Sequence, residues 1–238
     1  QSCVTMADDA YKQELCGFIL KSKSPTCGME RVRVYQDGKS MFEKKGTGLF
    51  TDALRKHYPY LPIEEESRLG DAWLRENFLM QVFAYEDFHN FMRSKPKMKD
   101  LVAFHTSYKY LVYAKSAVAY KLLGNIVANR NNKEISLLLQ EYRKIFLETI
   151  ALRGNISKTS NVLYHIYGYF KKIINTEEKE HLLTAIEEFK EETIPLIAVI
   201  KLLNLYVKRF DMQYLKKQKF LNPYPPKLAL RSNVKAYK

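Results

Sequence analysis

The sequence predicts an α+β protein, in which a small and incomplete α/β domain is followed by an all-α helical bundle. In the first 95 residues, short apolar runs alternate with turn residues, which is typical of strands and tight connections. After residue 95, nearly every segment carries apolar residues at intervals of three or four, which is typical of amphipathic helices. Lys95-Pro96-Lys97 interrupts the helical pattern, so we expect two domains, 1–95 and 96–238.

The two domains differ sharply in charge. Residues 1–95 contain 14 Lys and Arg against 14 Asp and Glu, whereas residues 96–238 contain 25 against 12, which accounts for the formal charge of +13. Such an asymmetry predicts that the second domain faces a polyanion, either a nucleic acid or an anionic membrane surface. The alternative is a basic surface that is merely solvated.

The cysteine count indicates a reducing compartment. Cys3, Cys16 and Cys27 form no CxxC pair, so they indicate neither a disulfide framework nor a zinc knuckle, and we expect a cytoplasmic protein. The most apolar segment, 194–207, is too short to span a bilayer and contains Lys201. No membrane-spanning segment is therefore expected, and we predict no membrane partner.

The first domain is predicted to contain short elements. Residues 1–15 read as the end of a helix that leads into the first strand. The predicted strands are 18–20, 32–35 and 61–63, and residues 36–45 are predicted to be a loop. One helix is predicted to begin at residue 50, before the third strand, and another is predicted over 71–89.

Between the first two strands lies a polar turn that carries reactive groups. Ser22, Ser24 and Cys27 converge on one loop, a common way of presenting reactive side chains from a rigid support. Pro25 favours an extended Ser24, and Gly28 allows an unusual backbone after the cysteine. The alternative is an ordinary hairpin with a free thiol.

Two further patterns in this domain have competing interpretations. The Gly46-Thr47-Gly48 turn ahead of a helix could cradle a phosphate, but a tight turn is the simpler interpretation. The acidic run 64–66 could hold a metal or a cationic group, or it could be a solvated loop or the first turn of a helix.

The second domain is predicted to hold five or six helices with short connections, which indicates a bundle. The predicted spans are 101–128 as two helices meeting near Ser116, then 133–152, 161–173 with Thr159 or Ser160 as N-cap, a helix capped by Thr176 to about 192, 195–209 and 211–220.

Aromatic, histidine and lysine residues cluster in two of these helices, around 104–109 and 161–172. Rings interleaved with cations favour a nucleic-acid surface, although aromatic residues at helical spacing usually form core. We expect core positions for Leu163, Ile166 and Phe170, and surface contacts by Lys109, Lys171 and Lys172.

The histidines and the basic tail complete the candidates. His105 and His165 could form a catalytic or ligand pair if they were adjacent, but partly buried and hydrogen-bonded histidines are the simpler expectation. The tail 208–238 holds nine Lys and Arg against one acid, and could clamp a polyanion. No Ser-His-Asp order, GxSxG, P-loop or HExxH motif is present.

Two segments resemble known families. Residues 15–85 resemble the second half of the TudS-like desulfidase domain, and residues 100–231 resemble the YbgA-like helical domain. The first resemblance rests on GFILKSKSP with CGME (17–30), KG with GLF (45–50), LPIEEE with RL (61–69) and LRENF (74–78). The second rests on FHT with Lys109, Tyr120 with LG (123–124), NVL with His165, GYFK (168–171), PL (195–196), and PYP (223–225) with Leu228, Leu230 and Arg231.

The fused arrangement implies removal of sulfur from thiolated uracil, as thiouridine in tRNA. It implies a [4Fe–4S] cluster held by three cysteines, with one iron open to the substrate sulfur. By this resemblance Cys27 is a cluster ligand, Ser24 lies at the active site beside it, and the basic bundle, including Arg231, binds tRNA.

The sequence departs from the family pattern in one respect. The family's other two cluster cysteines and an acidic catalytic residue fall in an N-terminal half that has no counterpart here, and the chain begins at Gln1 rather than Met. We therefore expect either a portion of a longer desulfidase or a non-catalytic RNA-binding or adaptor protein that has lost the cluster-binding half. DNA is a third and weaker candidate partner.

Overall fold

The chain divides into two compact units, Gln1–Asp87 and Phe88–Lys238. The computed structural model describes residues 2–35, 42–225 and 228. The division falls inside the longest helix, and that helix ends at Arg93, close to the predicted boundary at Lys95. A small mixed α/β unit followed by a largely helical one confirms the predicted fold class.

The first unit combines short helices with short strands. Its elements are α1 (Ser2–Lys12), β1 (Phe18–Leu20), β2 (Val32–Tyr35), β3 (Phe42–Gly46), α2 (Leu49–His57), β4 (Ile63–Glu65), a 3₁₀ turn (Arg68–Gly70) and the start of α3 (Ala72–Arg93). Its buried residues include Ala7, Leu20, Val32, Phe50, Leu54, Leu61 and Phe78. Residues 36–41 lie outside the part that the structure describes.

The strand pairing contradicts the alternative interpretation of residues 18–35 as an ordinary hairpin. β1 pairs in parallel with β4, with Phe18 opposite Ile63, whereas β2 pairs antiparallel with β3, with Tyr35 opposite Phe42. The loop after β1 therefore joins two separate two-stranded sheets rather than two partner strands. Parallel strands need a long crossover, and the 42 residues between β1 and β4 (21–62) provide it.

Two strand predictions were also wrong in detail. Residues 42–45 belong to β3 and not to a loop, and the strand predicted at 61–63 begins at Ile63 and ends at Glu65. The side chain of Glu65 is 5% exposed, so the acidic run is no solvated loop at this position.

The second unit is a bundle of helices with short connections. Among the described residues its helices are the end of α3, α4 (Met98–Lys115), α5 (Ala117–Ala128), α6 (Ile135–Ala151), α7 (Ile156–Tyr167), α8 (Thr176–Lys190), α9 (Leu196–Arg209) and α10 (Gln213–Lys216). The predicted junction near Ser116 is confirmed, since its hydroxyl accepts a hydrogen bond from the Ala119 N–H at the start of α5.

The predicted N-caps of two helices were displaced. Asn155 caps α7 and Asn175 caps α8, each by accepting a backbone N–H at 2.8 Å. Thr159 and Ser160 lie inside α7, where both are buried. α7 also ends at Tyr167 instead of 173, and turns continue the chain to α8.

Stacked aromatic rings form the core of this unit. Phe88, Phe104 and Phe146 pack against one another at ring-centroid distances of 5.6, 5.3 and 5.2 Å, and Tyr142 packs 5.8 Å from Phe146. Tyr142 and Phe146 are fully buried. Within the described ranges, no helix is long and apolar enough to cross a membrane.

Candidate functional site

The loop that carries Ser24 and Cys27 is held by its own backbone. The Ser24 hydroxyl oxygen accepts hydrogen bonds from the N–H groups of Thr26 and Cys27, both at 3.2 Å, and the Ser24 carbonyl accepts from the Gly28 N–H at 2.8 Å. Serine hydroxyls commonly stabilise turns in this way. The structure thus places the two predicted site residues side by side, with both side chains half-buried.

Helix α2 clamps this loop from the other side. The first N–H groups of the helix, on Leu49 and Phe50, donate to the carbonyls of Pro25 and Thr26, and the Thr51 hydroxyl donates to the Cys27 carbonyl at 2.7 Å. Two of the N–H groups that lack partners inside the helix at its N-terminus are therefore satisfied by the loop.

The same contacts decide the role of the glycines around α2. The Gly48 N–H donates to the Gly28 carbonyl at 2.8 Å. The N–H groups of Gly48, Leu49 and Phe50 are therefore all bonded to the loop, and none of the three is free to bind a phosphate. A methyl group on Gly48 would lie 2.6 Å from the Cys27 nitrogen, and one on Gly28 would lie 2.9 Å from the Ser24 carbonyl oxygen. The tight-turn interpretation is confirmed, and glycine at 28 is required by close approach rather than by an unusual φ.

The acidic run 64–66 anchors the far ends of the loop. Glu65 accepts the Met29 N–H at 2.7 Å, and Glu66 accepts the Ser22 N–H at 2.7 Å. Buried Glu64 forms an ion pair with Arg68 at 2.8 Å. The prediction that the acidic run could hold a cationic group is therefore confirmed for Glu64. Glu65 and Glu66 instead accept hydrogen bonds from backbone N–H groups of the loop.

A second candidate site lies in the helical unit and consists of Lys109, Tyr110, Tyr169 and Tyr214, the tyrosine–lysine cluster. The Lys109 ammonium lies 5.1 Å from the Tyr110 ring centroid and 5.0 Å from that of Tyr214. Tyr110 donates a hydrogen bond to the Tyr169 hydroxyl at 3.1 Å, and Tyr169 stacks on Tyr214 at 5.6 Å. These are cation–π and stacking geometries.

The hydroxyls of Tyr110 and Tyr214 in this cluster stay protonated. Desolvation, and then the hydrogen bond with Tyr169, raise the pKa of Tyr110 well above its ordinary value, and desolvation and the nearby Tyr169 do the same for Tyr214. Tyr120 also lies near enough to raise the pKa of both electrostatically. Neutral hydroxyls beside one ammonium can donate and accept hydrogen bonds without repelling an anion.

A further aromatic group adjoins Tyr120. The Tyr113 ring lies 4.8 Å from Tyr120 and 5.3 Å from His165, and its hydroxyl accepts a hydrogen bond from Asn161 at 2.8 Å. His165 is exposed, so the helical unit presents an imidazole on an aromatic face.

The comparisons with known proteins bear on both sites. Residues 1–66 match the model of the 2-thiouracil desulfurase family, and residues 109–225 match a family described as "Protein of unknown function (DUF1722)". The chain carries part of a 2-thiouracil desulfurase domain followed by a DUF1722 domain. Both resemblances found in the sequence are thereby confirmed.

One relative spans most of the chain. It is the "Uncharacterized protein YbgA" of Escherichia coli (strain K12), 24% identical over 157 residues, which covers 66% of this chain and 93% of the relative. No solved structure matches the chain.

The desulfurase segment offers one possible ligand for the iron–sulfur cluster that its family implies. Cys27 provides one thiol in a held loop, and soft thiolate ligands suit iron–sulfur clusters. Among the described residues, however, no group of three or more His, Cys, Asp or Glu side chains could hold a metal ion. The described residues by themselves therefore do not fit a [4Fe–4S] cluster.

The DUF1722 segment carries most of the other predicted positions. Lys171 and Lys172 are exposed, and neither forms an ion pair with any residue that the structure describes. They project from a turn anchored by Phe170 and Ile174, both buried. Arg231 lies outside the described residues.

The two histidines have different surroundings. His105, which precedes the DUF1722 match, is 9% exposed and lies 3.2 Å from the Tyr142 hydroxyl, and burial, with a smaller effect from Lys109, lowers its pKa to about 4. The described contacts of His165 go to Tyr113 instead. The structure therefore shows no contact that would make the histidines a pair, and His105 is the expected hydrogen-bonded core histidine.

The sequence did not reveal which tyrosines lie near Lys109 and His165, although Tyr214 falls within the basic tail 208–238 that was a candidate polyanion clamp. Tyr110, Tyr113 and Tyr120 come from two helices that meet at Ser116, and Tyr214 comes from a helix more than 90 residues later. Their local spacing resembles that of core aromatics. Only Tyr110 could have been predicted to lie near Lys109, because the two residues are adjacent in the sequence.

Proposed function

We propose that this chain is a portion of a desulfurase that removes sulfur from thiouridine in tRNA, with the helical unit binding the tRNA. The desulfurase match covers the loop of Ser24 and Cys27, and a basic helical unit follows it. The observation that carries the RNA-binding part is the tyrosine–lysine cluster, in which an ammonium lies over two tyrosine rings beside neutral hydroxyls.

Binding of RNA is supported by the combination of aromatic rings with exposed lysines that have no ion-pair partner among the residues that the structure describes. Exposed bases of RNA loops stack on aromatic side chains, while lysines neutralise the phosphates between them. Tyr169, 38% exposed, offers a ring at the surface, and Lys171 and Lys172 follow it two and three residues later.

The role of the loop in the proposed reaction follows from its geometry. Both backbone groups of Cys27 are fixed, so its sulfur is the free part of the residue, and the Ser24 hydroxyl lies against the same peptide unit. We propose Cys27 as one ligand of the family's [4Fe–4S] cluster and Ser24 as a catalytic neighbour. The remaining ligands would come from outside the described residues.

Binding of tRNA can be tested with matched charge variants of the full chain. The double variant Lys171→Gln/Lys172→Gln should bind tRNA more weakly, and its plot of log affinity against log salt should lose about two units of slope, since each phosphate contact contributes about one. The control Lys12→Gln/Lys56→Gln removes two exposed charges from the first unit. Equal slopes for the two double variants would argue against the proposal.

Sulfur removal needs a separate test. The chain, joined to a cluster-binding N-terminal half of the 2-thiouracil desulfurase family and reconstituted with iron and sulfide without oxygen, would be freed of excess sulfide and mixed with thiouridine-containing tRNA. The sulfide released would be compared with that of a Cys27→Ala variant. Sulfide release that depends on Cys27 supports the desulfurase. Absence of release together with retained tRNA binding would leave the alternative function, a non-catalytic RNA-binding or adaptor protein.

A further inference from the structure

A cavity of about 500 Å³ lies between α5 and α6 and is separate from the tyrosine–lysine cluster. Aliphatic residues of both helices form its inner wall, and polar residues of the connecting turn form its rim. Pockets that hold small organic ligands have volumes in this range. The lining residues that matter below are Leu122, Asn125, Ile126, Arg130, Lys144 and Ile145.

The rim of this cavity is held in shape by one asparagine. Asn129 ends α5 in the left-handed conformation, with φ 41° and ψ 45°. Its side chain accepts the Lys133 N–H at 2.9 Å and donates to the Lys133 carbonyl at 3.1 Å. A short turn closed by two such bonds is pre-organised, which reduces the entropy lost when a ligand binds.

The charge of the rim is positive after its internal pairing. Lys133 forms an ion pair with Glu141, which neutralises both side chains. Arg130 and Lys144 are exposed and have no ion-pair partner among the residues that the structure describes. Two uncompensated cations therefore face the cavity opening, and Arg is well suited to bind the oxygens of a phosphate.

The inner wall of the cavity is apolar. Leu122, Ile126 and Ile145 line it, and Leu122 is 45% exposed although α5 is one of the most apolar helices of the chain. Asn125 adds an amide between the wall and the rim. A bare phosphate would leave this wall uncovered, whereas a ligand with a flat base and a phosphate would cover the wall and reach both cations.

We propose that the cavity between α5 and α6 binds a nucleotide, with its phosphate at Arg130 and Lys144 and its base against Leu122, Ile126 and Ile145. Asn125 can hydrogen-bond to an edge of the base. The nucleotide has two possible sources, a free nucleoside monophosphate or an unstacked nucleotide of a bound RNA. Only the second source rests on the proposed function.

The first test uses free ligands and the full chain. Calorimetric titration with each of the four nucleoside 5′-monophosphates should give at least one dissociation constant on the order of 100 µM. The corresponding nucleoside, which lacks the phosphate, should bind at least tenfold more weakly. Arg130→Gln/Lys144→Gln should also weaken binding at least tenfold, whereas the control Arg153→Gln/Lys201→Gln, which removes two charges elsewhere in the same unit, should not.

The second test separates the two sources. If no monophosphate binds, the pocket variant should still weaken tRNA binding at least tenfold relative to the control variant, which would assign the site to a nucleotide of RNA. The proposal is overturned if no monophosphate binds and the two variants bind tRNA equally. Monophosphate binding without any tRNA binding would keep the pocket and remove the proposed function.

Discussion

His105 should make the helical unit less stable in mild acid. Its ring is buried beside Tyr142, and burial, assisted by the positive charge of Lys109, lowers its pKa from 6.5 to about 4. The unfolded chain therefore takes up a proton near pH 6.5, whereas the folded chain does not until about pH 4. Stability is full above pH 6.5 and is lost as the pH falls through this window.

The size of this effect follows from the difference between the two pKa values. At pH 5 the unfolded histidine is almost fully protonated and the folded one almost fully neutral, which lowers the free energy of unfolding by about 2 kcal/mol relative to pH 7. This loss would be a large fraction of the stability of a typical domain, which is about 5–15 kcal/mol.

The assay compares wild type with His105→Asn, whose amide cannot titrate and can still face the Tyr142 hydroxyl. Urea denaturation followed by far-ultraviolet circular dichroism reports on the helical unit, and all other titrating groups are common to both proteins. The wild type should lose about 2 kcal/mol more than the variant between pH 7 and pH 5. An equal loss in both proteins would refute the assigned pKa of His105.

Two further predictions concern backbone contacts. Gly48→Ala should destabilise the first unit by about 1–3 kcal/mol because its methyl group would meet loop backbone, whereas Gly70→Ala, which has open space around it, should not; denaturation followed by Trp73 fluorescence measures both. Asn175→Ala should cost the helical unit about 1 kcal/mol, because the side chain caps α8, whereas Thr176→Ala should be nearly neutral in the same circular-dichroism assay. The reverse order for the last two variants would mean that the cap lies at the threonine.

The strand that was missed shows where sequence patterns lose their information. β3 reads FEKKG, and its residues are almost all exposed, so no alternation of apolar and polar residues marks it. Its pairing with β2 is set by the partner strand, with Arg33 opposite Lys44, and not by burial. The helices of the second unit were predictable because each buries one stripe against its neighbours.

The N-caps were misplaced for a related reason. Several polar residues stand before α7, and any of them can cap a helix. Thr159 and Ser160 proved to be buried inside the helix, so packing of the bundle, which local sequence does not reveal, chose Asn155.

In the candidate sites, contacts between residues near in sequence were predictable, and contacts between distant residues were not. Ser24 and Cys27 lie within four residues, so their proximity could be read from the turn residues. The contact of Glu65 with Met29 and the approach of Gly48 to the loop join residues 20 or more positions apart, and only the fold brings them together. The tyrosine–lysine cluster is likewise assembled from distant segments.

If the helical unit binds tRNA and the desulfurase loop acts on its thiouridine, as we propose, the thiolated base should contact the loop of Ser24 and Cys27. Photo-crosslinking of the full chain to a tRNA carrying 4-thiouridine, followed by mass-spectrometric mapping of the linked peptide, tests this claim most directly. The account predicts a crosslink within residues 22–30, lost at high salt because phosphate contacts hold the tRNA. Crosslinks confined to the helical unit, or none at low salt, would contradict it.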